Sequence, residues 1–159
     1  MKNIKRIFFS LSLLFILFFL DRYSKIWAIS NLANNQTINL GPFLNLNLIF
    51  NRGIIFGIFG SKSTLTFALL SILIISVSIF FGSYLIWRFK KNLNIVAEIL
   101  VISGAISNLL DRFKYNGVID FIDLHIKAYH WPTFNVADIF IFIGLSWIIF
   151  REMKAGFNE

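Results

Sequence analysis

At 159 residues the chain has room for one domain, and its 57% hydrophobic and 14% charged composition lies far from the roughly 25% charge of a soluble domain, so it reads as an integral membrane protein. The excess of 15 Lys and Arg over 8 Asp and Glu gives a net charge of +7, which in such a chain reflects orientation signals and anionic lipid and not nucleic acid. The absence of cysteine excludes disulfides, a thiol nucleophile and thiolate metal sites.

Lys2, Lys5 and Arg6 precede an apolar run from Ile7 to Leu20. A cleaved signal peptide starts the same way, and Ala28-Ile29-Ser30 resembles a cleavage site, but Asp21, Arg22 and Lys25 interrupt the region before it. The run therefore predicts a first spanning helix over about 7–29. At ~1.5 Å per residue, Asp21 lies about 20 Å from the entry side.

Residues of about 31–60 change character. Thr37-Ile38-Asn39-Leu40 and Leu44-Asn45-Leu46-Asn47-Leu48 alternate polar and apolar, the period of a strand, with Gly41-Pro42 as a turn between them. Open sheet edges are not tolerated against lipid, so this predicts a small sheet at the membrane surface with its leucine face toward the apolar side. Asn51-Arg52-Gly53 ends it.

Three more spans follow, at about 65–87, 94–113 and 134–153. The second is uncharged; the others reach full length only if Asp111 and Arg112, or Phe134 to Asp138, lie at the membrane edge. Four spans put both termini and the loop at 88–91 on one side, with eight Lys and Arg there against four in the opposite loops, which orients the termini to the cytoplasm. The count is eight against seven if Arg22, Lys25 and Arg112 at the span ends are included. Aspartates 21, 111, 120, 123 and 138 then all fall toward the outer face.

Ionisable residues at membrane depth point to function. Asn108, Asp111 and Arg112 stand at i, i+3 and i+4, Asn135 and Asp138 at i, i+3, and Asp21 and Lys25 at i, i+4, so each set shares a helix face. Structural readings stand beside these. Asp21 and Lys25 also suit interhelical glue, Asp111 beside Arg112 an ion pair, and Asn51 with Gly53 a turn. Asp123 reads as a solvated or capping residue, and Tyr129, Trp131 and Pro132 as an interfacial belt. His125 and His130 read as interfacial loop residues, because their spacing fits no zinc pattern.

His-Glu-x-x-His, Gly-x-Ser-x-Gly and Walker motifs are absent, and Ser24 and Lys25 are adjacent and cannot face each other as a dyad. What remains is a pair of carboxylates sharing a proton, one the general base on water and the other the acid, with no metal and no organic cofactor. Asp120 lies in a predicted loop among Val118, Ile119, Phe121 and Ile122, an apolar setting that suits proton sharing with Asp138. The residues alone leave Asp111 and Asp120 both open as partner.

Five segments taken together resemble the lipoprotein signal peptidase (signal peptidase II) family. Asp21-Arg22-Tyr23-Ser24-Lys25 matches its Asp-x-x-Ser/Thr-Lys, and Asn51-Arg52-Gly53-Ile54-Ile55-Phe56 approximates Asn-x-Gly-x-Ala/Ser-Phe. Ser103-Gly104-Ala105-Ile106-Ser107-Asn108-Leu109-Leu110-Asp111-Arg112, Val118-Ile119-Asp120-Phe121 and Phe134-Asn135-Val136-Ala137-Asp138 follow in the family's order. Ile55 and Ser103 depart from the pattern, where a small residue and a glycine are usual.

The resemblance implies an all-α membrane protein of four transmembrane helices with a small extracytoplasmic β-cradle. It implies an aspartic endopeptidase of the bacterial cytoplasmic (inner) membrane that cuts prolipoproteins before a diacylglyceryl-modified cysteine. It implies Asp120 and Asp138 as the catalytic pair, supported by Asn108, Asp111, Arg112 and Asn135, with Asp21, Lys25, Asn51 and Gly53 around the site. The alternative, a small proton- or ion-coupled transporter, calls for carboxylates near the midplane and two related halves; the acids here are shallow and one-sided and no repeat is visible. A non-catalytic membrane subunit accounts for the spans but not for Asn and Asp recurring at facing helix positions.

Overall fold

Long apolar stretches free of proline make the helices. Pro42 and Pro132, the chain's two prolines, both fall in connections, where a missing N–H costs nothing. The computed structural model describes residues 2–33, 36–53 and 64–156. Its elements are α1 (Lys2–Asn31), β1 (Thr37–Asn39), β2 (Leu44–Asn51), α2 (Thr64–Lys90), α3 (Val96–Tyr115), β3 (Val118–Ile126), β4 (Tyr129–His130) and α4 (Val136–Gly156). The helices fall within a few residues of the expected spans. Residues Ile54, Ile55, Phe56 and Lys62 lie outside the described residues.

Among the described residues two helices, in α1 and α2, are apolar and long enough to cross a membrane. The 20 residues of α3 and 21 of α4 carry Glu98, Asp111 and Arg112, and Asp138, Arg151 and Glu152, near their ends. Helix α2 turns Ile72, Leu73, Ile79 and Phe80 outward, a surface suited to hydrocarbon. Helix α3 is the centre, packed against α1, α2, α4 and β3.

Small residues let α4 approach α3 closely. A Cβ on Gly104 would stand 2.5 Å from the carbonyl oxygen of Ala137, and one on Gly144 2.7 Å from that of Ala97. Ser103, where the family pattern has glycine, is buried and donates to Leu100 O at 3.0 Å. It thus satisfies its hydroxyl on its own helix.

At the end of the bundle where α1 starts and α4 ends, buried Glu98 accepts from Arg88 Nε at 3.1 Å and Arg151 Nη2 at 2.7 Å, joining α2, α3 and α4. Arg6 donates to Phe89 O at 3.0 Å and Asn92 Oδ1 at 3.1 Å, and also to Leu93 O, tying α1 to the α2–α3 turn.

The sheet runs β1-β2-β3-β4, antiparallel throughout. The β1–β2 hairpin is as expected, and Leu46 and Leu48 pack around Ala28, Leu32 and Phe121 at the C-terminal end of α1. The segment expected as a loop carrying Asp120 and Asp123 is instead the nine-residue strand β3. Its first four residues are all buried, so it lacks the polar–apolar alternation of a half-exposed strand. Register shifts between Leu46 and Ile49, which places Ile49 opposite Asp120 and Asn51 opposite Val118. A one-residue slip reverses the faces of a strand, so the bulge brings Asn51 onto the face of Asp120.

Overpacking a tight helix interface costs about 1–3 kcal/mol. Gly104→Ala and Gly144→Ala should each lower the thermal midpoint of the detergent-solubilised protein, while Gly82→Ala on α2, with open space around it, should not.

Candidate active site

Helix α1 contributes Lys25, fully buried, whose Nζ donates to Asp21 Oδ2 at 2.9 Å, Asp111 Oδ2 at 2.8 Å and Asn108 Oδ1 at 2.7 Å. A buried ammonium is tolerable only when its three N–H groups are all taken, two of them here by carboxylates. Asp21 also accepts from Ser107 Oγ at 2.5 Å and from the backbone N–H of Ala137 at 2.7 Å. Asp111 also accepts from Arg22 Nη1 at 2.7 Å and the N–H of Ile119 at 3.3 Å. One cluster therefore fastens α1 to α3, to the start of β3 and to the first turn of α4.

That first turn is built as a reciprocal cap. Asn135 Oδ1 accepts the N–H of Asp138 at 3.0 Å, and Asp138 Oδ2 accepts the N–H of Asn135 at 3.1 Å. Side chains at the N-cap and third helical position exchange bonds in this way to satisfy donors the helix leaves free. Helix α4 thus starts at Val136 with Asn135 as its cap, slightly later than the expected Phe134. Phe134 is held on β3, exchanging backbone bonds with Ile122 at 2.9 and 3.1 Å, and this sets the cap beside Asp120.

Three asparagines hold Asp120 and Asp138. Asn135 Nδ2 donates to Asp120 Oδ1 at 2.6 Å and Asn51 Nδ2 to Asp120 Oδ2 at 2.8 Å. Asn108 Nδ2 donates to Asp138 Oδ1 at 2.8 Å, while its oxygen accepts from Lys25 and, at 3.3 Å, from Asn135. Asn51 Oδ1 takes the N–H of Gly53 at 2.8 Å, and Gly53 has φ +92°, a conformation that favours glycine. The turn reading and the site reading of Asn51 are thus one arrangement. Asn51, Asn108, Arg112, Asp120 and Asp138 line a cavity of about 380 Å³ walled by apolar side chains of α2, α3 and α4. Burial, and then the charge of Asp138, push the pKa of Asp120 up to about 7 against the opposing bonds from Asn51 and Asn135.

Several expectations change. Asp111 pairs with Lys25 and Arg22 and not with Arg112, which lies about 100° further round α3 and lines the cavity. The Nε and Nη1 of Arg112 are buried without a hydrogen-bond partner among the described residues, and the group lies 5.3 Å over the Phe67 ring. Asp123 is buried, not solvated or capping: it accepts from Asn47 Nδ2 at 3.2 Å and lies 2.8 Å from His130 Nδ1. His125 and His130 are strand residues, not loop residues, stacked at 5.1 Å. Among the described residues no group of three or more His, Asp or Glu gathers as a metal-ligand set. Arg22 and Ser107, both joined to the cluster, carry no local signal beyond the i, i+4 spacing of Ser107 and Asp111.

The family model described as "Signal peptidase (SPase) II" matches residues 13–154. A lipoprotein signal peptidase of Pelagibacter ubique (strain HTCC1062) is 40% identical over 156 residues, 95% of this chain and 91% of the relative. One from Thermodesulfovibrio yellowstonii is 36% identical over 141 residues, 89% and 92% of the two chains. The fold is similar to a solved structure described as a bacterial membrane enzyme, determined in meso at 2.3 Å, with a TM-score of 0.72, 27% identity and coverage of 94% of this chain and 90% of that one.

Removing one partner from a buried ion cluster costs about 3–5 kcal/mol. Lys25→Met, which leaves buried Asp21 with no cation and Asp111 with Arg22 alone, should lower the thermal midpoint in detergent more than Asp111→Asn, which leaves Lys25 paired with Asp21. An unchanged midpoint for Lys25→Met would show that the cluster does not hold the helices.

Proposed function

Because the chain belongs to the signal peptidase II family and is a lipoprotein signal peptidase, a membrane protease, we propose that Asp120 and Asp138 are its catalytic dyad. The observation that carries this is the shared cavity, in which both carboxylates are held by amides while the nearby cation Lys25 is bound to Asp21 and Asp111. Two carboxyls in such a setting share one proton. The ionised member takes a proton from water as it attacks the scissile carbonyl, and the protonated member gives its proton to the carbonyl oxygen. The resulting diol collapses as a proton passes to the leaving nitrogen, and the peptide bond breaks.

Asn51, Asn108 and Asn135 orient the pair, and Arg112 offers unpaired N–H groups to substrate carbonyls. Asp21, Lys25 and Asp111 keep the helices in place, and Gly53 shapes the turn behind Asn51. The substrate is a prolipoprotein cut before a diacylglyceryl-modified cysteine. Asp138 also borders an apolar groove lined by Leu124, Trp131, Phe134, Ile139 and Phe142, which suits a bond delivered from lipid. Acyl chains anchor it there, at about 0.8 kcal/mol per buried CH₂.

The arrangement is four spans in the bacterial cytoplasmic membrane, with both termini cytoplasmic and the sheet and dyad near the outer face. It is supported by the charge distribution along the chain and by the sheet lying at the end of α1 opposite its N-terminus.

Purified protein should cut a diacylglyceryl-modified precursor and cut the unlipidated form far more slowly. Asp120→Asn and Asp138→Asn should each abolish cleavage with normal membrane insertion. A well-folded Asp111→Asn that is dead, beside an active Asp120→Asn, would reassign the dyad.

The raised Asp120 pKa has a pH signature. Stability linked to its protonation is intact below the ordinary carboxyl range near ~4 and is lost as pH rises through about 7. The unfolding midpoint of the wild type should therefore fall more steeply over that window than that of Asp120→Asn, and equal slopes would refute the raised pKa.

Single cysteines at Asn3 and Lys91 should react only from the cytoplasm, and one at Lys127 from outside. Labelling of position 91 from outside would overturn the four-span arrangement.

A further inference from the structure

Away from the dyad, α1 and α3 run side by side in the same direction. Leu17 clusters with Ile95 and Ile99, and further along Asp21 meets Ser107 and Arg22 meets Asp111. Between their outward surfaces lies a groove of about 520 Å³. On each helix a cation follows apolar residues of the lining: Arg22 follows Phe18 and Phe19 on α1, and Lys114 follows Leu110 on α3. On either helix three or four residues separate the two, about 5–6 Å along the axis. Both bonds of Arg22 run through Nη1, to Asp111 and to Ser107 O, so Nε and Nη2 have no partner among the described residues. Lys114 is exposed, and its ammonium lies 5.1 Å from the Tyr115 ring. Tyr23, also exposed, lines the same rim, where amphipathic rings favour the headgroup layer.

A groove in which each helix sets a cation and a tyrosine about one turn beyond apolar side chains has the charge order of a phospholipid turned inside out. We infer that this groove holds an anionic phospholipid, its phosphate between Lys114 and Arg22 and one acyl chain along Phe18, Phe19 and Leu110. A free anion would leave the slot unfilled. A partner helix would have to bury Lys114, whose ammonium has, among the described residues, only the Tyr115 ring to offset desolvation. The site lies on the α1–α3 side of the molecule, apart from the cavity and groove that Asp138 borders, and its occupancy can be read without any measure of cleavage.

The test is native mass spectrometry of the full chain released from detergent, titrated with phosphatidylglycerol or phosphatidylcholine of matched chains. The wild type should retain phosphatidylglycerol with a preference of about fivefold, the factor expected for one cation at the headgroup level. Lys114→Gln should erase the preference, Lys114→Arg should keep it, and Lys127→Gln, a surface cation elsewhere, should leave it unchanged. Leu110→Trp, which fills the slot, should reduce retention of both lipids. A preference that survives Lys114→Gln, or that Lys127→Gln also removes, overturns the site. Competition by soluble glycerophosphoglycerol shows a headgroup pocket only and overturns the acyl slot. A dimer that dissociates in Leu110→Trp shows a second copy on this face and also overturns the proposal.

Discussion

Everything near the sheet depends on one ammonium group with no access to water. Lys25 is held by two carboxylates and an amide oxygen, all within 2.9 Å. Such a group is costly to desolvate, and only complete coordination makes it tolerable. Complete coordination means that α1 and α3 sit where they do, and Asp21 carries the constraint on to α4 through the N–H of Ala137. Hydrophobic packing is permissive about rotation and height along a helix; this cluster is not.

The cluster also sorts the aspartates. Asp21 and Asp111 receive the cations, while Asp120 and Asp138 receive amides and a backbone N–H. Amides orient a carboxyl through hydrogen bonds without the full charge that would keep it ionised. The same side chain, Asn108, has its oxygen on Lys25 and its nitrogen on Asp138, so it marks the boundary between the two environments. Exchanging Asn108 for a carboxylate or a cation would erase that boundary whatever it did to packing.

Much of this was legible in the sequence because it is local. The helices follow from apolar length, the hairpin from alternation around Gly41-Pro42, and the pairing of Asp21 with Lys25 from helical spacing. What escaped was set by distance along the chain. Asp111 finds its cations 86 and 89 residues away on α1, and the one beside it turns to the cavity; adjacency in sequence is a poor guide on a helix, where neighbours diverge by about 100°. Strand β3 escaped because burial on both faces removes alternation, and the burial of Asp123 depends on Asn47 and His130, contributed by the two neighbouring strands. The five motifs marked the site's residues without saying which of them hold one another.

The bulge in β2 has a consequence for how such a chain can change length. Residues before Leu46 and after Ile49 meet β3 in different phase, so Asn51 owes its facing of Asp120 to parity. Removing or adding one residue between Leu44 and Asn51 would trade Asn51 for a neighbour of the opposite face, whereas a change of two would only slide the strand. In this stretch a single-codon indel is a change of active-site chemistry, and a double one is closer to a change of fit. The reading frame of the sheet, counted in twos, is thus a hereditary constraint separate from the identity of any residue in it.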